Sequence, residues 1–240
     1  MYSLMSKFYS EIFPLTLDKL SFAQHLSYSG KSNRILDIGC STGDLSLALA
    51  KECHQVTGID LDEEMISVAN SKKLEFPELE LDYEIMDMLT IGSAFPEKQF
   101  HQVLCFGNTI VHLTELNQIY SLFSQVAAIL KTTGVFKGQI LNYSYIMANK
   151  VKSLPIIEND TIRFERNYTF DNSIIHFQTI LKDKKTNTRH KHSIPLYPLS
   201  YNILDELLHD AGFQNVKYYG NFNLDPFTEE SYYLVFEAQK

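Results

Sequence analysis

Glycine and acidic residues follow the apolar segments of this chain, at positions suited to binding a nucleoside. Residues 35–50 read ILDIGCSTGDLSLALA, so Gly39 and Gly43 come directly after an apolar run. Glycine adopts left-handed backbone and lets a ligand approach the main chain closely. Asp60 ends the next apolar run, at about the spacing where an acidic side chain meets a ribose in nucleotide-binding folds. Its carboxylate has two acceptor oxygens and can bind both ribose hydroxyls.

Two later apolar segments end in residues of similar character. Asp87 and Met88 follow the third segment; the carboxylate can accept from an adenine amino group while Met88 packs on the ring. The fourth apolar segment ends in Phe106, Gly107 and Asn108. Gly107 is small, and the Asn108 side-chain amide can both donate and accept hydrogen bonds. This strand end would face the ligand crevice.

Each of these signals also has a purely structural explanation. The glycines can form a tight turn, Asp60 can cap a helix, and Asp87 can be a surface turn residue. Cys40 fits a small buried filler better than a nucleophile, and His112 fits a packed or capping histidine better than a catalytic base. Ser41 replaces the second glycine of a dinucleotide motif. The ordered recurrence at four strand ends favours a nucleoside site.

The elements that would position these residues alternate regularly. Short buried strands separated by amphipathic helices indicate a parallel, doubly wound sheet, which binds ligands at the carboxyl ends of its strands. Asp62 is expected to cap one helix, and Thr114 and Gly134 to begin and end another. The predicted strands cover residues 34–38, 54–60, 79–85 (an edge strand), 101–108 and 135–141.

The alternation stops at residue 142 and resumes near residue 199. The intervening segment is β-rich and polar, which predicts an antiparallel insertion with a tight turn at Asp171-Asn172-Ser173. The basic stretch 182–192 is interpreted as a solvated hairpin. Ser200 and Gly212 are expected to begin and end a last helix before a closing hairpin. The first thirty residues are predicted to be helical, ending at Gly30.

Composition limits the classes of function. The 240-residue chain has a net charge of -8, which argues against a nucleic-acid partner, and 45% hydrophobic residues, enough for a packed core. No apolar run has the length of a signal peptide core or a membrane span, so no membrane partner is expected. Three cysteines without paired spacing predict no metal site and fit the reducing cytoplasm.

Four motifs together resemble the class I S-adenosylmethionine-dependent methyltransferase family. LDIGCSTG is similar to its glycine-rich first motif, VTGIDLDEEMI to its acidic second motif, MDM to its adenine-binding turn and LCFGNTIVHL to its fourth-strand motif. The resemblance covers residues 35–141 well. It implies an α/β, Rossmann-like seven-stranded doubly wound sheet of order 3-2-1-4-5-7-6 with the last strand antiparallel. The insertion after the fifth strand resembles the substrate cover of glycine N-methyltransferase relatives.

The resemblance also implies a separate role for each part of the chain. Residues 1–30 would form a helical lid, with Phe8 and Tyr9 closing over the cofactor. Residues 31–141 and 199–240 would bind S-adenosylmethionine, leaving S-adenosylhomocysteine as product, and residues 142–198 would cover the substrate. The residues expected to bind the cofactor are Tyr9, Asp37, Gly39, Cys40, Asp60, Leu61, Met65, Asp87, Met88, Phe106 and Gly107.

The expected reaction is direct methyl transfer to a nitrogen or oxygen atom of a small molecule. The sulfonium is already activated, so in-line positioning supplies most of the catalysis, and a base is needed only where the acceptor must lose a proton. A monomer or homodimer is expected. Asn108 and His112 are the candidate catalytic residues, and the cover offers Tyr143, Tyr145, His176, His190 and His192.

Three alternatives remain open at this point. A nicotinamide-dependent oxidoreductase is disfavoured by the missing G-x-G-x-x-G pattern and by the closing hairpin. A regulatory protein that binds the nucleoside without turnover would have a blocked methyl-transfer face. A macromolecular methyltransferase fits poorly with an acidic chain whose insertion resembles a lid.

Overall fold

A mixed sheet of seven strands forms the centre of the protein. The computed structural model describes residues 3–25, 32–171 and 174–240. The strand order is β3-β2-β1-β4-β5-β11-β10, and β11 runs antiparallel to both of its neighbours. This arrangement confirms the predicted order and the antiparallel last strand. The strands are β1 Arg34–Ile38, β2 Gln55–Asp60, β3 Leu81–Ile85, β4 Phe100–Cys105, β5 Leu130–Leu141, β10 Asn215–Tyr219 and β11 Tyr233–Gln239.

Helices cover both faces of this sheet because its strands are apolar on both sides. In β1, Ile35 packs with the helices on one face and Leu36 with those on the other. Such strands occur where a sheet is enclosed by two helical layers. Among the described residues, no helix combines the length and apolar character needed to cross a membrane. The helices are α1 Ser3–Ile12, α2 Leu17–Gln24, α3 Asp44–Lys51, α4 Glu63–Lys73, α5 Ile91–Ala94, α6 Leu116–Ile129, α7 Tyr143–Ala148 and α8 Tyr201–Asp210.

The segment after β5 forms a second sheet. Its four strands pair antiparallel in chain order, as expected for the insertion. The helix α7 at its start was not predicted; it is six residues long, too short to show a helical period, and Asn142 caps it by accepting from the Tyr145 amide. The strands are β6 Ser153–Glu158, β7 Ile162–Asp171, β8 Ile174–Asp183 and β9 Arg189–Leu196.

Several predicted helix boundaries are correct and one pair is wrong. Asp62 caps α4 by accepting from two backbone amides, and Ser200 caps α8. The helix α6 instead begins after Glu115 and ends at Ile129, so Thr114 and Gly134 do not bound it. The reason is that Leu130 already pairs with Phe100 of β4, and the sheet takes over from the helix there.

Two expectations concern residues outside the described part of the chain. They are the helix end at Gly30 and the turn at Asn172-Ser173. The predicted edge position of β3 is confirmed, since β3 has one neighbour, β2. The closing hairpin is also confirmed, by the antiparallel pairing of β10 with β11.

Candidate active site

A cavity of about 510 Å³ lies at the carboxyl ends of β1 and β4. The turns after these strands form its floor, helices α1 and α2 form one wall, and β6 to β9 contribute the opposite wall. The second sheet therefore covers the edge of the main sheet where doubly wound folds bind ligands. Nine of the predicted site residues line this cavity: Tyr9, Asp37, Gly39, Cys40, Met65, Phe106, Gly107, Asn108 and His112.

The turn after β1 requires its glycines for packing as well as for backbone geometry. Gly39 has φ +71°, and a Cβ there would lie 2.5 Å from Thr109 Oγ1. Gly43 has φ +78°, and its Cβ would overlap the Tyr83 ring of β3, whose hydroxyl donates to the Gly43 carbonyl. Gly43 therefore packs directly against β3. The turn is held rigidly beneath the cavity.

Asp60 fastens the turns after β1 and β2 to each other. Its Oδ2 accepts from the Ser41 amide at 2.9 Å, and its Oδ1 accepts from the Asp62 amide at 3.0 Å. Burial raises the pKa of Asp60, and these two backbone donors oppose the rise. Each carboxylate oxygen still has a free lone pair for a ligand hydroxyl. Asp60 and the exposed Leu61 lie beside the cavity and not among its lining residues.

Asp87 and Met88 lie away from the cavity lining. Asp87 accepts from the Leu89 amide and so caps a short 3-10 turn, as its structural explanation anticipated. Met88 packs against the core beneath α6. A role for either residue at an adenine ring stays a prediction.

The end of β4 combines an open backbone with a fixed amide. Gly107 and Asn108 both adopt left-handed φ, +74° and +70°. A Cβ on Gly107 would meet only the Tyr9 hydroxyl, at 4.0 Å, so the space above its backbone is open. Asn108 accepts from the Leu141 amide at 3.0 Å and donates to the Tyr143 hydroxyl at 2.8 Å. Its orientation is therefore set by β5 and by α7.

Two charges of opposite sign, the buried Asp37 and the half-buried Lys19, line the cavity near the first turn. Asp37 accepts from the Ser46 hydroxyl at 2.6 Å, and burial raises the pKa of this carboxyl group while the Ser46 bond and Lys19 oppose the rise. Burial lowers the pKa of Lys19, against the charges of Asp37 and Asp44. Lys19 was not predicted, because a single lysine in a short helix carries no sequence signal. Gln139, also not predicted, accepts from the Gly107 amide at 2.9 Å.

Helix α1 closes the cavity on the side of the first turn. Burial raises the pKa of Tyr9 to about 12, although a hydrogen bond with the Ser41 side chain opposes the rise. Ser10 donates to Asp44 at 2.6 Å, and Lys72 of α4 pairs with the same carboxylate. Phe8 turns away from the cavity and packs against the second sheet, so its expected place over the cofactor is wrong.

The wall formed by the second sheet carries both apolar and polar side chains. His192 lines the cavity, although it belongs to the basic stretch that was interpreted as wholly solvated. Burial lowers the pKa of His112, and the nearby His192 lowers it further. Arg166 and Tyr168 of β7 also line the cavity and were not predicted. The other cover candidates are not among the lining residues: Tyr143, Tyr145, His176 and His190.

Comparisons with known proteins agree with this geometry. A methyltransferase domain family matches residues 35–134. A putative methyltransferase of Geobacillus sp. strain WCH70 is 33% identical over 43% of this chain, but the aligned part is 40% of that relative's length. The putative methyltransferase YqeM of Bacillus subtilis is 25% identical over 88% of this chain and 85% of its own.

The fold matches that of solved methyltransferases from end to end. An S-adenosylmethionine-dependent methyltransferase from Clostridium acetobutylicum superposes with a TM-score of 0.80 at 15% identity, covering 99% of this chain and 98% of that one. Together, the domain match and this shared fold support a class I S-adenosylmethionine-dependent methyltransferase. The likeness includes the second sheet, since nearly the whole chain is aligned.

The described residues of this chain fit S-adenosylmethionine, the cofactor that the solved Clostridium acetobutylicum enzyme depends on. The open space above Gly107 is a cradle that a Cβ would fill. Asp60 retains acceptor capacity for two ribose hydroxyls after its two backbone bonds. Asp37 and Lys19 offer one anion and one cation, which match the ammonium and carboxylate of an amino acid tail.

Proposed function

We propose that this protein transfers a methyl group from S-adenosylmethionine to a nitrogen or oxygen atom of a small molecule. One observation carries the proposal: a single cavity joins the turns after β1 and β4 to the inner face of the second sheet. A cavity of about 510 Å³ has the size of a small-molecule site. A nucleic acid or protein substrate would require an open surface and, for nucleic acid, a basic one.

The cofactor would be held by residues at the ends of four strands and on two helices. Asp60 accepts from the ribose hydroxyls, while Asp37 and Lys19 bind the charged tail. Met65, at the start of α4, is buried and packs along the nucleoside edge of the cavity. Gly39, Cys40 and Gly107 present backbone without large side chains. Adenine binding by Leu61, Asp87 and Met88 completes the proposed set.

The chain's own contribution to the reaction is chiefly orientation. The bound cofactor supplies an activated methyl group on its sulfonium. Holding two reactants in line is worth about 7–11 kcal/mol of the barrier. Asn108 is fixed by Leu141 and Tyr143 and lies where an acceptor meets the Gly107 backbone. The cover sheet excludes water from this position.

His112 is the proposed general base where the acceptor must lose a proton. Its lowered pKa keeps the imidazole neutral at pH 7, so it can accept a proton at neutral pH. It lies on the 3-10 turn that follows Asn108, on the cavity wall shared with β9. Tertiary amines and already ionised acceptors would not need it.

The proposed lid is helix α1, with Tyr9 as the residue that closes over the cofactor. Its hydroxyl lies between Ser41 and Gly107, which belong to the two turns that flank the proposed site. Tyr9→Phe keeps the ring and removes this polar contact. We expect faster release of S-adenosylhomocysteine from this variant in a stopped-flow displacement assay, and an unchanged release rate would remove the lid assignment.

Calorimetry with S-adenosylhomocysteine and, separately, with NAD tests the function directly. Binding of S-adenosylhomocysteine, together with turnover of S-adenosylmethionine against small amines, carboxylic acids and phenols, supports the proposal. Binding without turnover on any acceptor would favour a regulatory protein. Preference for NAD would favour an oxidoreductase, and absence of S-adenosylhomocysteine binding would overturn the proposed cofactor.

A further inference from the structure

Arg166 on β7 is a cavity residue whose charge the protein leaves without a partner. Its Nε is buried and forms no hydrogen bond, and its Nη2 donates to the Pro155 carbonyl at 2.7 Å. None of the ion pairs among the described residues includes it. A buried polar atom of a cation costs free energy unless it is paired. The arginine is therefore poised to bind an anion that enters the cavity.

The surroundings of Arg166 contrast with those of the other arginine on the same strand. Arg163 donates to Glu165 at 2.9 Å and pairs with Glu158. It does not line the cavity. Two carboxylates thus satisfy the arginine outside the cavity, whereas the cavity arginine forms no ion pair with a described carboxylate. This difference indicates that the missing partner of Arg166 comes from outside the chain.

Phenol groups gather around the same guanidinium. Tyr168, Tyr232 and Tyr233 line the cavity with it. Burial raises the pKa of both Tyr168 and Tyr233, and the Arg166 charge opposes the rise in each, so the guanidinium lies within electrostatic range of both hydroxyls. Neutral hydroxyl donors next to one cation suit an acceptor group that carries one negative charge.

This polar cluster is connected to the proposed methyl-transfer position. Tyr168 lies beside Tyr143, and the Tyr143 hydroxyl accepts from Asn108. Tyr233 pairs in register with Leu141, whose amide donates to Asn108. A molecule bound to Arg166 therefore extends toward Asn108.

The remaining wall of this part of the cavity is apolar. Phe177, Ile194 and Leu196 project from β8 and β9 into the cavity. Such a surface favours a hydrocarbon or aromatic body over a strongly hydrated one. This part of the cavity thus combines one cation with an apolar enclosure.

We propose that the methyl acceptor is a carboxylic acid with an apolar, ring-sized body, and that Arg166 binds its carboxylate as a specificity determinant. The inference rests on the proposed function, which it narrows to a substrate class. An Arg–carboxylate pair is charge-assisted and geometrically specific. A dianionic phosphate would meet one guanidinium and no second cation in this cluster.

Binding of probe anions separates this inference from the function itself. Benzoate, methyl benzoate, benzamide and phenyl phosphate are titrated by calorimetry into the full-length protein, with and without S-adenosylhomocysteine. The same titrations use Arg166→Gln, Arg166→Lys and the control Arg163→Gln, which removes an identical charge from the same strand outside the cavity. Thermal unfolding of each variant reports whether it is folded.

The expected result is that benzoate binds about tenfold or more tightly than its neutral ester and amide, as one charged hydrogen bond predicts. Arg166→Gln should lose this preference, Arg166→Lys should retain part of it, and Arg163→Gln should keep it. S-adenosylhomocysteine affinity should be unchanged in all three variants.

Several results would overturn the inference. They are equal binding of benzoate and its ester, a preference unaffected by Arg166→Gln in a folded variant, absence of benzoate binding, or a stronger preference for phenyl phosphate. Failure of S-adenosylhomocysteine to bind would instead refute the proposed function, and the titrations without it would still decide the assignment of Arg166. If Arg166→Gln does not fold, the Arg166→Lys and Arg163→Gln comparison decides it.

Discussion

Replacing Asp60 by alanine tests the placement of the cofactor most directly. The variant removes both carboxylate oxygens, which in the free protein accept from Ser41 and Asp62. These two backbone bonds are lost in the free and the bound state alike, so they contribute little to the change in affinity. The change reports the ligand hydroxyls that the remaining lone pairs would have bound.

The magnitude follows from the number of bonds and from burial. Two hydrogen bonds to a charged acceptor contribute about 1.5 kcal/mol each at the lower limit. The carboxylate is already half-buried in the free protein, so a ligand removes only part of its hydration. Affinity for S-adenosylhomocysteine should therefore fall by about 100-fold or more.

Calorimetry with S-adenosylhomocysteine provides the measurement, and Asp82→Asn provides the matched control. Asp82 lies on the neighbouring strand β3, is exposed, and pairs with Lys73, so its removal changes the net charge equally without touching the cavity. The control should bind as the unmodified protein does. An Asp60→Ala variant that is folded and binds within about threefold of the unmodified protein would refute the ribose assignment.

Three further predictions address the turn, the base and the core. Gly39→Ala should reduce the free energy of unfolding in urea by more than Gly212→Ala does. Both glycines have positive φ, but only a Cβ at Gly39 would meet a neighbour, Thr109 Oγ1 at 2.5 Å. Equal losses in the two variants would contradict the packing argument. If His112 is the base, kcat should fall at acidic pH with a midpoint below 6.5, because burial lowers the pKa of His112. This acidic limb should disappear in His112→Gln. A midpoint above pH 6.5 would exclude His112 as the base. Burial lowers the pKa of Lys137 from 10.5 to about 8, so the unfolded chain binds more protons between these values. The free energy of unfolding should therefore rise with pH in that window relative to Lys137→Met, by up to about 3 kcal/mol, whereas a constant difference would show that the buried ammonium is unperturbed.

The sequence predicted the features that local chemistry determines. Asp62 and Ser200 are caps because their side chains satisfy nearby amides, and such bonds need no knowledge of the tertiary structure. The alternation of elements predicted a doubly wound sheet, and the family resemblance alone predicted its strand order. The boundary at Leu130 was missed because its pairing with Phe100 is a long-range contact.

The candidate site was only partly predictable, because part of it also depends on contacts between residues far apart in the sequence. Gly39 and Gly107 follow strands, where the sequence shows both the strand and its end. Lys19 and Arg166 lie within regular elements, and their place in the cavity depends on how α2 and β7 pack across it. A single charge in a helix or strand is usually solvated, so its sequence context gives no indication of burial.

The fastening of α1 on both sides has a kinetic consequence. Ser10 binds Asp44 beneath the proposed cofactor site, while Glu11 accepts from Thr161 and Asn159 at the edge of the second sheet. The two residues are adjacent, so one helix movement breaks both sets of bonds. Movement of α1 would then open the proposed cofactor site and the part of the cavity under the second sheet together. S-adenosylhomocysteine and the methylated product would therefore leave in one step. In such an arrangement the rate of that movement sets an upper limit on turnover.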